Sequence, residues 1–473
     1  MPSSYNAVEI NIATGENKSR SKQWASQSLV NLYIDSQQTG RTARSLLPWP
    51  GETFFAGTRE DKQKPVGRGM HVLDGFLYAV FDRSLYRITT AGVFTEVATI
   101  PGSKRVSFAD DGFNMVIRVE GTVAYINGKF ILQGNGATYL YNPRKFEILA
   151  VPEMPNDDEF VVTLVDNPRE FYSGIGAATL TGDSLSQVYV YEKKIIMAGP
   201  NSIEFFYDDP QGGNPPIFAI EQASTSQIGV ASSYSMAETP SFLYLLGSDN
   251  VVYRLSNFDL QSVTPSSIAK EIRETDTTDA YGFTCQIDGQ WFYVLQMPAG
   301  NVTLAYSETT NTWTRLSTGN DLDRHMVSGY VYAYGKHLIQ NNELVEIFEW
   351  DFDAYSSDGS PIVRQFQTAP INGLSLGAPG KRMVMNRCRF IMESGVGNAD
   401  DPEPNMMVRP STDGGRTFGR EYWPKLKRSS DTATMVDWYY NATFYDLVLS
   451  VRVTDPVFTA FHSAVIEIKA GGD

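Results

Sequence analysis

Paired carboxylates are the first residues in this chain whose type and spacing invite a chemical reading. They are Asp110/Asp111, Asp157/Asp158, Asp208/Asp209, Asp321/Asp323 and Asp351/Asp353. A glycosidase needs two carboxyl groups at a defined separation in space, one an acid and the other a nucleophile or base. Spacing in sequence does not set that separation, and a chain with 54 acidic residues generates such pairs at turns. They read as solvated turn residues. The 351–353 pair also lacks the further oxygen ligands of a calcium loop. Gly377-Ala378-Pro379-Gly380-Lys381-Arg382 has the look of a phosphate loop but not its spacing, and no hydroxyl residue follows the lysine. Cys285 and Cys388 stand far apart with no CxxC, and His71, His325, His337 and His462 are scattered. Neither a zinc site nor a disulfide framework follows. No catalytic, metal-ligating or cofactor-binding residue is assigned, and the expectation is a non-enzyme without cofactor.

Two motifs carry more information. Ser411-Thr412-Asp413-Gly414-Gly415-Arg416-Thr417-Phe418 fits the Asp-box form S-x-D-x-G-x-T-[WF]. In such a box the aspartate ties down a tight hairpin through local hydrogen bonds, and the aromatic packs beneath it. Ser411, Asp413, Gly415, Thr417 and Phe418 are therefore expected to be structural. The box also occurs in sialidases, so a propeller-type glycan hydrolase, sialidase-like or a depolymerase, is the alternative function. A single box, with no arginine cluster beside a Tyr/Glu pair, argues against it. The second feature is residues 381–428, which carry ten bases against six acids, +4 in a chain of −15. The plain reading is an ordinary basic face. The functional one is a docking surface for an acidic partner, including a second copy of this chain, with Lys425, Lys427 and Arg428 as candidate contacts to a neighbouring subunit or adaptor.

Overall charge excludes more than the motifs do. With 39 basic and 54 acidic residues, the chain repels nucleic acid on average instead of gripping its phosphates. An acidic surface does suit one that DNA must slide past. No window approaches 18 consecutive apolar residues, and the first residues lack the basic-then-apolar order of a signal peptide. Exposed Trp and Tyr would serve a carbohydrate-binding module, but 7 Trp and 25 Tyr are as easily core.

The elements that must position these residues are β-strands. Val, Ile, Thr, Tyr and Phe fall in short alternating runs between turn residues. Only 169–185 and 265–278 read as short helices. Between residues 66 and 353 a unit recurs: an apolar run, a turn, an aromatic-rich run, a turn, and a third run ending in Tyr or Phe. Copies begin near Gly69, Arg105, Gln187, Ser241, Ala280 and Val327. Six copies over that span give about 48 residues each, the size of a four-stranded propeller blade. Such a blade cannot bury both faces of its sheet alone, so blades stack radially. The rival is a generic β-sandwich. The expected fold is an all-β propeller of about six blades at 66–353. An N-terminal arm and strand at 1–65 include a strand over 29–34 and a rigid turn at Leu47-Pro48-Trp49-Pro50-Gly51, an arm that closes the ring or reaches a neighbour. A C-terminal β domain at 354–473 has strands over 387–392, 406–410, 447–453 and 464–468.

Several pieces resemble the tail hub, or tail nozzle, proteins of short-tailed bacteriophages, also called packaged-DNA stabilisation proteins. Val30-Asn31-Leu32-Tyr33 followed by Pro48-Trp49-Pro50-Gly51 is similar to the family's asparagine-containing strand and Pro-Gly turn. Gly67-Arg68-Gly69-Met70 through Tyr86 resembles its opening blade, and Phe348 through Arg364 its propeller exit. The C-terminal part is similar at 411–421 and at Val451-Arg452-Val453-Thr454-Asp455-Pro456-Val457. One departure is Asp437-Trp438-Tyr439-Tyr440-Asn441-Ala442, where members often carry a basic stretch. The resemblance implies a virion tail protein forming a ring of identical copies, a homohexamer, below the portal and its adaptor or head-to-tail ring. Such a ring extends the DNA channel, retains packaged DNA, supports genome ejection, and contacts tail spikes or fibres and a tail tip. DNA would pass through without sequence-specific binding, and no membrane insertion is implied.

Overall fold

Residues 67–99 show how the repeat folds in this computed structural model, which describes all residues except 1–4, 19–20, 22–24, 37–43, 59–65, 179, 210–217, 222–223, 394–395, 399–402, 427–434 and 472–473. Gly67–Leu73 and Phe76–Phe81 are joined by Asp74 and Gly75 at φ 48° and 73°. Two successive positive φ values give the turn whose twist matches the flanking antiparallel strands. Ser84–Ile88 and Phe94–Thr99 complete a four-stranded meander. Its second strand is buried almost throughout, because both faces of the blade are covered. This explains the continuous apolar runs where a half-exposed strand would alternate.

Six further sheets follow the same plan, so the propeller has seven blades rather than about six. The extra blade is interlaced with the second. The chain lays down Val106–Asp110 and Met115–Val119 of the second blade, then departs to build Thr122–Ile126 and Lys129–Gln133 of the third. It returns for Thr138–Asn142 and Lys145–Ile148 of the second, and only then finishes the third with Glu159–Leu164 and Asn167–Phe171. A 48-residue period counts this pair as one unit, because its strands are not consecutive. The remaining blades begin at Gln187–Tyr191, Ala237–Glu238, Tyr281–Ile287 and Val327–Ala333.

Seven apolar clusters, one between each pair of neighbouring blades, close the ring. Gly51–Gly57 supplies the fourth strand of the seventh blade by pairing antiparallel with Glu346–Asp351. The N-terminal segment thus fastens the last blade by hydrogen bonds from a distant part of the chain. Leu77, Ala79 and Phe81 of the first blade then pack against Ala56, Leu338 and Ile347 of the seventh.

A second body is a β-sandwich built from both ends of the chain. One sheet runs Leu32–Ser36, Arg44–Pro48, Phe461–Ala470, Met383–Met392, Met435–Phe444, with Asn6–Ile10 beside Phe461–Ala470. The other contains Ser26–Val30, Arg364–Gln367, Asp446–Val453 and Met407–Ser411. Leu29, Phe366, Cys388, Phe390, Leu449 and Phe461 are among the side chains buried between them. This second sheet is continuous with the sixth blade through a parallel pairing of Val30 with Arg315.

Local expectations fared unevenly. The strand read over 29–34 is two strands, because Asn31 sits at φ 50° and sends the chain from one sheet to the other. A helix forms at Ser266–Glu274, but 169–185 does not form one and instead holds the end of Asn167–Phe171 and the short Gly176–Ala177 strand. Among the described residues no helix is long and apolar enough to cross a membrane.

Candidate functional site

The Asp-box residues converge on one hairpin loop beyond Met407–Ser411. Ser411 Oγ donates to Asp413 Oδ1 at 2.6 Å, while Thr417 Oγ1 donates to Asp413 Oδ2 at 2.6 Å. The backbone N–H groups of Arg416 and Thr417 donate to the same carboxylate at 3.0 Å. Burial alone would raise the Asp413 carboxyl, but these donors outweigh it and hold it far below the usual carboxylate range. Gly415, at φ 85°, lies against Ser26, so the loop abuts the N-terminal strand. Phe418 is half-buried, with the Arg409 guanidinium 5.8 Å from its ring centroid. Ser411, Asp413, Gly415 and Thr417 shape the loop, and a carboxylate satisfied by four donors is poorly placed to act as a base.

Lys425 is exposed and its Nζ sits 2.6 Å from Glu403 Oε2. Lys427 and Arg428 lie outside the described residues. Elsewhere in the basic window, Arg389 makes a two-pronged contact with Asp437 at 2.7 and 3.0 Å, and Arg387 pairs with Glu467. These pairs form a cross-strand ladder on the outer face of the sandwich, which offsets much of the window's excess positive charge.

Four of the five carboxylate pairs of the sequence have a member engaged by neighbouring groups. Asp110 bonds His71 at 2.6 Å, a contact that lowers its pKa, and Asp111 accepts from the backbone of Phe113 and Asn114. Asp208 holds Lys129 and Asn127, Asp323 holds Asn301, and Asp351 caps the N–H of Asp353. Among the described residues no group of three His, Cys, Asp or Glu is placed to hold a metal. Both cysteines are buried. Gly373-Leu374-Ser375-Leu376-Gly377 has GxSxG spacing, but Ser375 Oγ donates to the Asn372 carbonyl at 2.9 Å in an exposed turn that no helix follows. It is not the strand-to-helix elbow that such a nucleophile needs.

Sequence reading missed the residues that hold the two bodies together. Asn31 Nδ2 donates to the carbonyls of Ser317 and Val363, both at 2.9 Å, and its Oδ1 accepts the Ser317 N–H at 2.9 Å. Glu52 and His325 are buried and meet at 2.9 Å. Because His325 Nδ1 accepts the Val327 N–H, its Nε2 carries the proton donated to Glu52. Arg364 is fully buried beside this pair, and burial pushes its guanidinium down to about 10 against the opposing pull of Glu52 and Tyr355. A polar residue inside an apolar run, such as Asn31, was the available signal.

The propeller axis is closed by side chains. Arg105, just before the second blade's inner strand, lies 3.6 Å from the centroid of the Tyr281 ring and donates to the Ser328 carbonyl at 2.7 Å. Tyr234 donates to the Arg105 carbonyl at 3.3 Å, and Tyr281 donates to Val327. Residues at or just before the first strands of the second, fifth, sixth and seventh blades thus meet across the axis.

Solved structures similar to the chain include the extracellular domain of a putative one-component system from B. thetaiotaomicron, at 10% identity and a TM-score of 0.41. That match covers 81% of this chain and 48% of the other, so the chain spans about half of that structure's length. A streptogramin B lyase matches at 11% identity and TM-score 0.39, over 63% of this chain and 96% of the other. YCF48 from Cyanidioschyzon merolae matches at 8% identity and TM-score 0.37, over 64% and 99%. No curated protein matches at a significant level. The family model described as "Phage_stabilise: Bacteriophage P22 Gp10, beta-propeller" matches residues 8–354, a stretch running from the sandwich's first strand through all seven blades. The chain therefore belongs to this family of structural bacteriophage proteins and is a virion component.

Proposed function

We propose that this protein is the tail nozzle, or hub, of a short-tailed phage. In this reading several copies form a ring below the portal and its adaptor, extend the DNA channel, retain the packaged genome and support its ejection. Membership of the phage-stabilisation family over residues 8–354 carries the reading. The closed propeller axis adds a constraint: DNA cannot thread an individual propeller past Arg105, Tyr234 and Tyr281, so its path must run between copies. A net charge of −15 per copy, repeated six times round a ring, suits a lumen along which phosphates slide without sticking. Cyclic symmetry requires two different surfaces of the chain to meet. Lys427 and Arg428, with Lys425 already engaged by Glu403, remain the proposed basic side of that contact, facing an acidic patch of the neighbour. Spikes or fibres and a tail tip attach to the same assembly, and nothing on the chain is required to cut a glycan.

The test is genetic and physical. Particles assembled without this protein should package DNA and then lose it, leaving the genome open to nuclease, and added purified protein should restore protection. Particles that keep a nuclease-resistant genome without it would refute retention as its role.

A further inference from the structure

The mouth of the propeller axis is a funnel of about 720 Å³, lined by inter-blade segments from around the ring. Its size lies in the range of small-molecule sites. The charged residues on its wall are Lys104, Arg105 and Arg324 against one acid, Asp279. Tyr234 at the wall stands within electrostatic reach of Arg105 and also of Arg68, Glu120 and Arg118. Arg68 and Arg118 are fully buried, and both are neutralised weakly. Arg68 donates only to carbonyls, those of Lys104, Asp82, Ile100 and Pro101. Arg118 donates to the Gln133 carbonyl and to Thr138 Oγ1, and burial lowers its guanidinium to about 10. Glu120 faces Lys104 at 3.6 Å on the surface, and Asp82 lies near Arg68. Three cations therefore line the funnel against one carboxylate, in a chain whose net charge is −15.

One guanidinium nitrogen on the wall sharpens this excess. Arg324 Nη1 is buried without a hydrogen-bond partner. Buried donors are normally satisfied, so each orphan requires an explanation. A guanidinium fork matches carboxylate and phosphate oxygens in pairs. The hydroxyl residues Ser103, Ser186 and Ser233 add polar wall around a second anionic group.

We infer that the axial funnel is a binding site for a small anion bearing two or more phosphate or carboxylate groups, held chiefly by Arg324 and Lys104 at the wall. Arg105 serves as the floor, fixed by Tyr281 and Ser328. The site is independent of the nozzle reading, since it requires only a single folded chain.

Titration calorimetry of the full chain tests it, with inorganic pyrophosphate in one arm and citrate in the other, at physiological chloride. One site per chain is expected with at least one probe, and the responding arm assigns phosphate, carboxylate or both. Arg324→Gln and Lys104→Gln should each weaken binding by about tenfold, or about 1.4 kcal/mol. Lys145→Gln, at the exposed Lys145–Glu147 pair on the second blade, should leave binding unchanged. Should Arg324→Gln fail to fold, the wild-type chain still decides the matter: the bound probe should slow phenylglyoxal modification of Arg324, mapped by peptide mass. Absence of saturable binding up to about 10 mM with both probes, or binding that is indifferent to both substitutions and leaves Arg324 unprotected, would overturn the site.

Discussion

Replacing Asn31 with alanine should loosen the joint between propeller and sandwich, and its cost can be worked from the contacts. Asn31 lies at φ 50°, fully buried, between two strands that belong to different sheets. Its side chain makes hydrogen bonds to the Ser317 carbonyl, the Ser317 N–H and the Val363 carbonyl, all at 2.9 Å. Each such bond contributes about 1 kcal/mol net, and leaving the Ser317 N–H buried without a partner tends to push the loss higher. Alanine in the left-handed conformation costs about 1–2 kcal/mol more. Together these predict a loss of about 4 kcal/mol. Unfolding entropy near 2.1 cal/mol/K per residue gives about 1 kcal/mol/K for a chain this long. If the two bodies melt together, the midpoint should fall by about 4 °C in calorimetry. If they uncouple, the sandwich should melt first as a separate transition. Asn31→Gly keeps the left-handed backbone and should recover about 1 kcal/mol of the loss. Asn31→Asp retains the shape but sets a carboxylate against two carbonyl oxygens. It should be worse than alanine at neutral pH and improve as pH falls, because only the protonated acid can donate. A melting curve unchanged within about 1 °C for both the alanine and aspartate variants would refute the reasoning.

Other outcomes follow from the same structure. Trp49 is buried in edge-on contact with Tyr33, Phe292 and Trp350, so Trp49→Ala should cost about 3–5 kcal/mol and expose the seventh-blade seam to limited proteolysis. The Asp413 carboxyl has a depressed folded pKa, so its contribution is present above the ordinary aspartate range and is lost as pH falls below it. Protection of the Arg416 and Thr417 amides, taken relative to the intrinsic exchange rate at each pH, should therefore fall in acid, and Asp413→Asn should remove that pH dependence. Burial raises the pKa of both Cys285 and Cys388, so neither thiol should react with Ellman's reagent until the chain unfolds.

Much of the propeller is legible because blade chemistry is local. Asp74-Gly75 and Asp288-Gly289 mark hairpins whose two positive φ values need such residues, and apolar runs flank them. Asn127-Gly128 carries the same signal at φ 48° and 82°, and it marks the inner hairpin of the third blade. It escapes a periodic reading because that hairpin is inserted between the second and third strands of the blade before it. Long-range joints are harder to read. Nothing local in Glu52 indicates a partner at His325, and Ser26–Val30 gives no sign of pairing with residues 312–315 and 364–367. The Asp box was visible because the hydrogen bonds of the Asp413 carboxylate all fall between Ser411 and Thr417. The funnel cations were invisible for the opposite reason: Lys104 and Arg105 meet Arg324 only when the ring closes.

The most direct test of the nozzle assignment is copy number in purified, DNA-filled particles of the source phage, by quantitative peptide mass spectrometry normalised to the portal. A six-fold ring beneath a twelve-fold portal predicts about half the portal's copy number. Absence from the particle, or a count that follows the spikes, would contradict it.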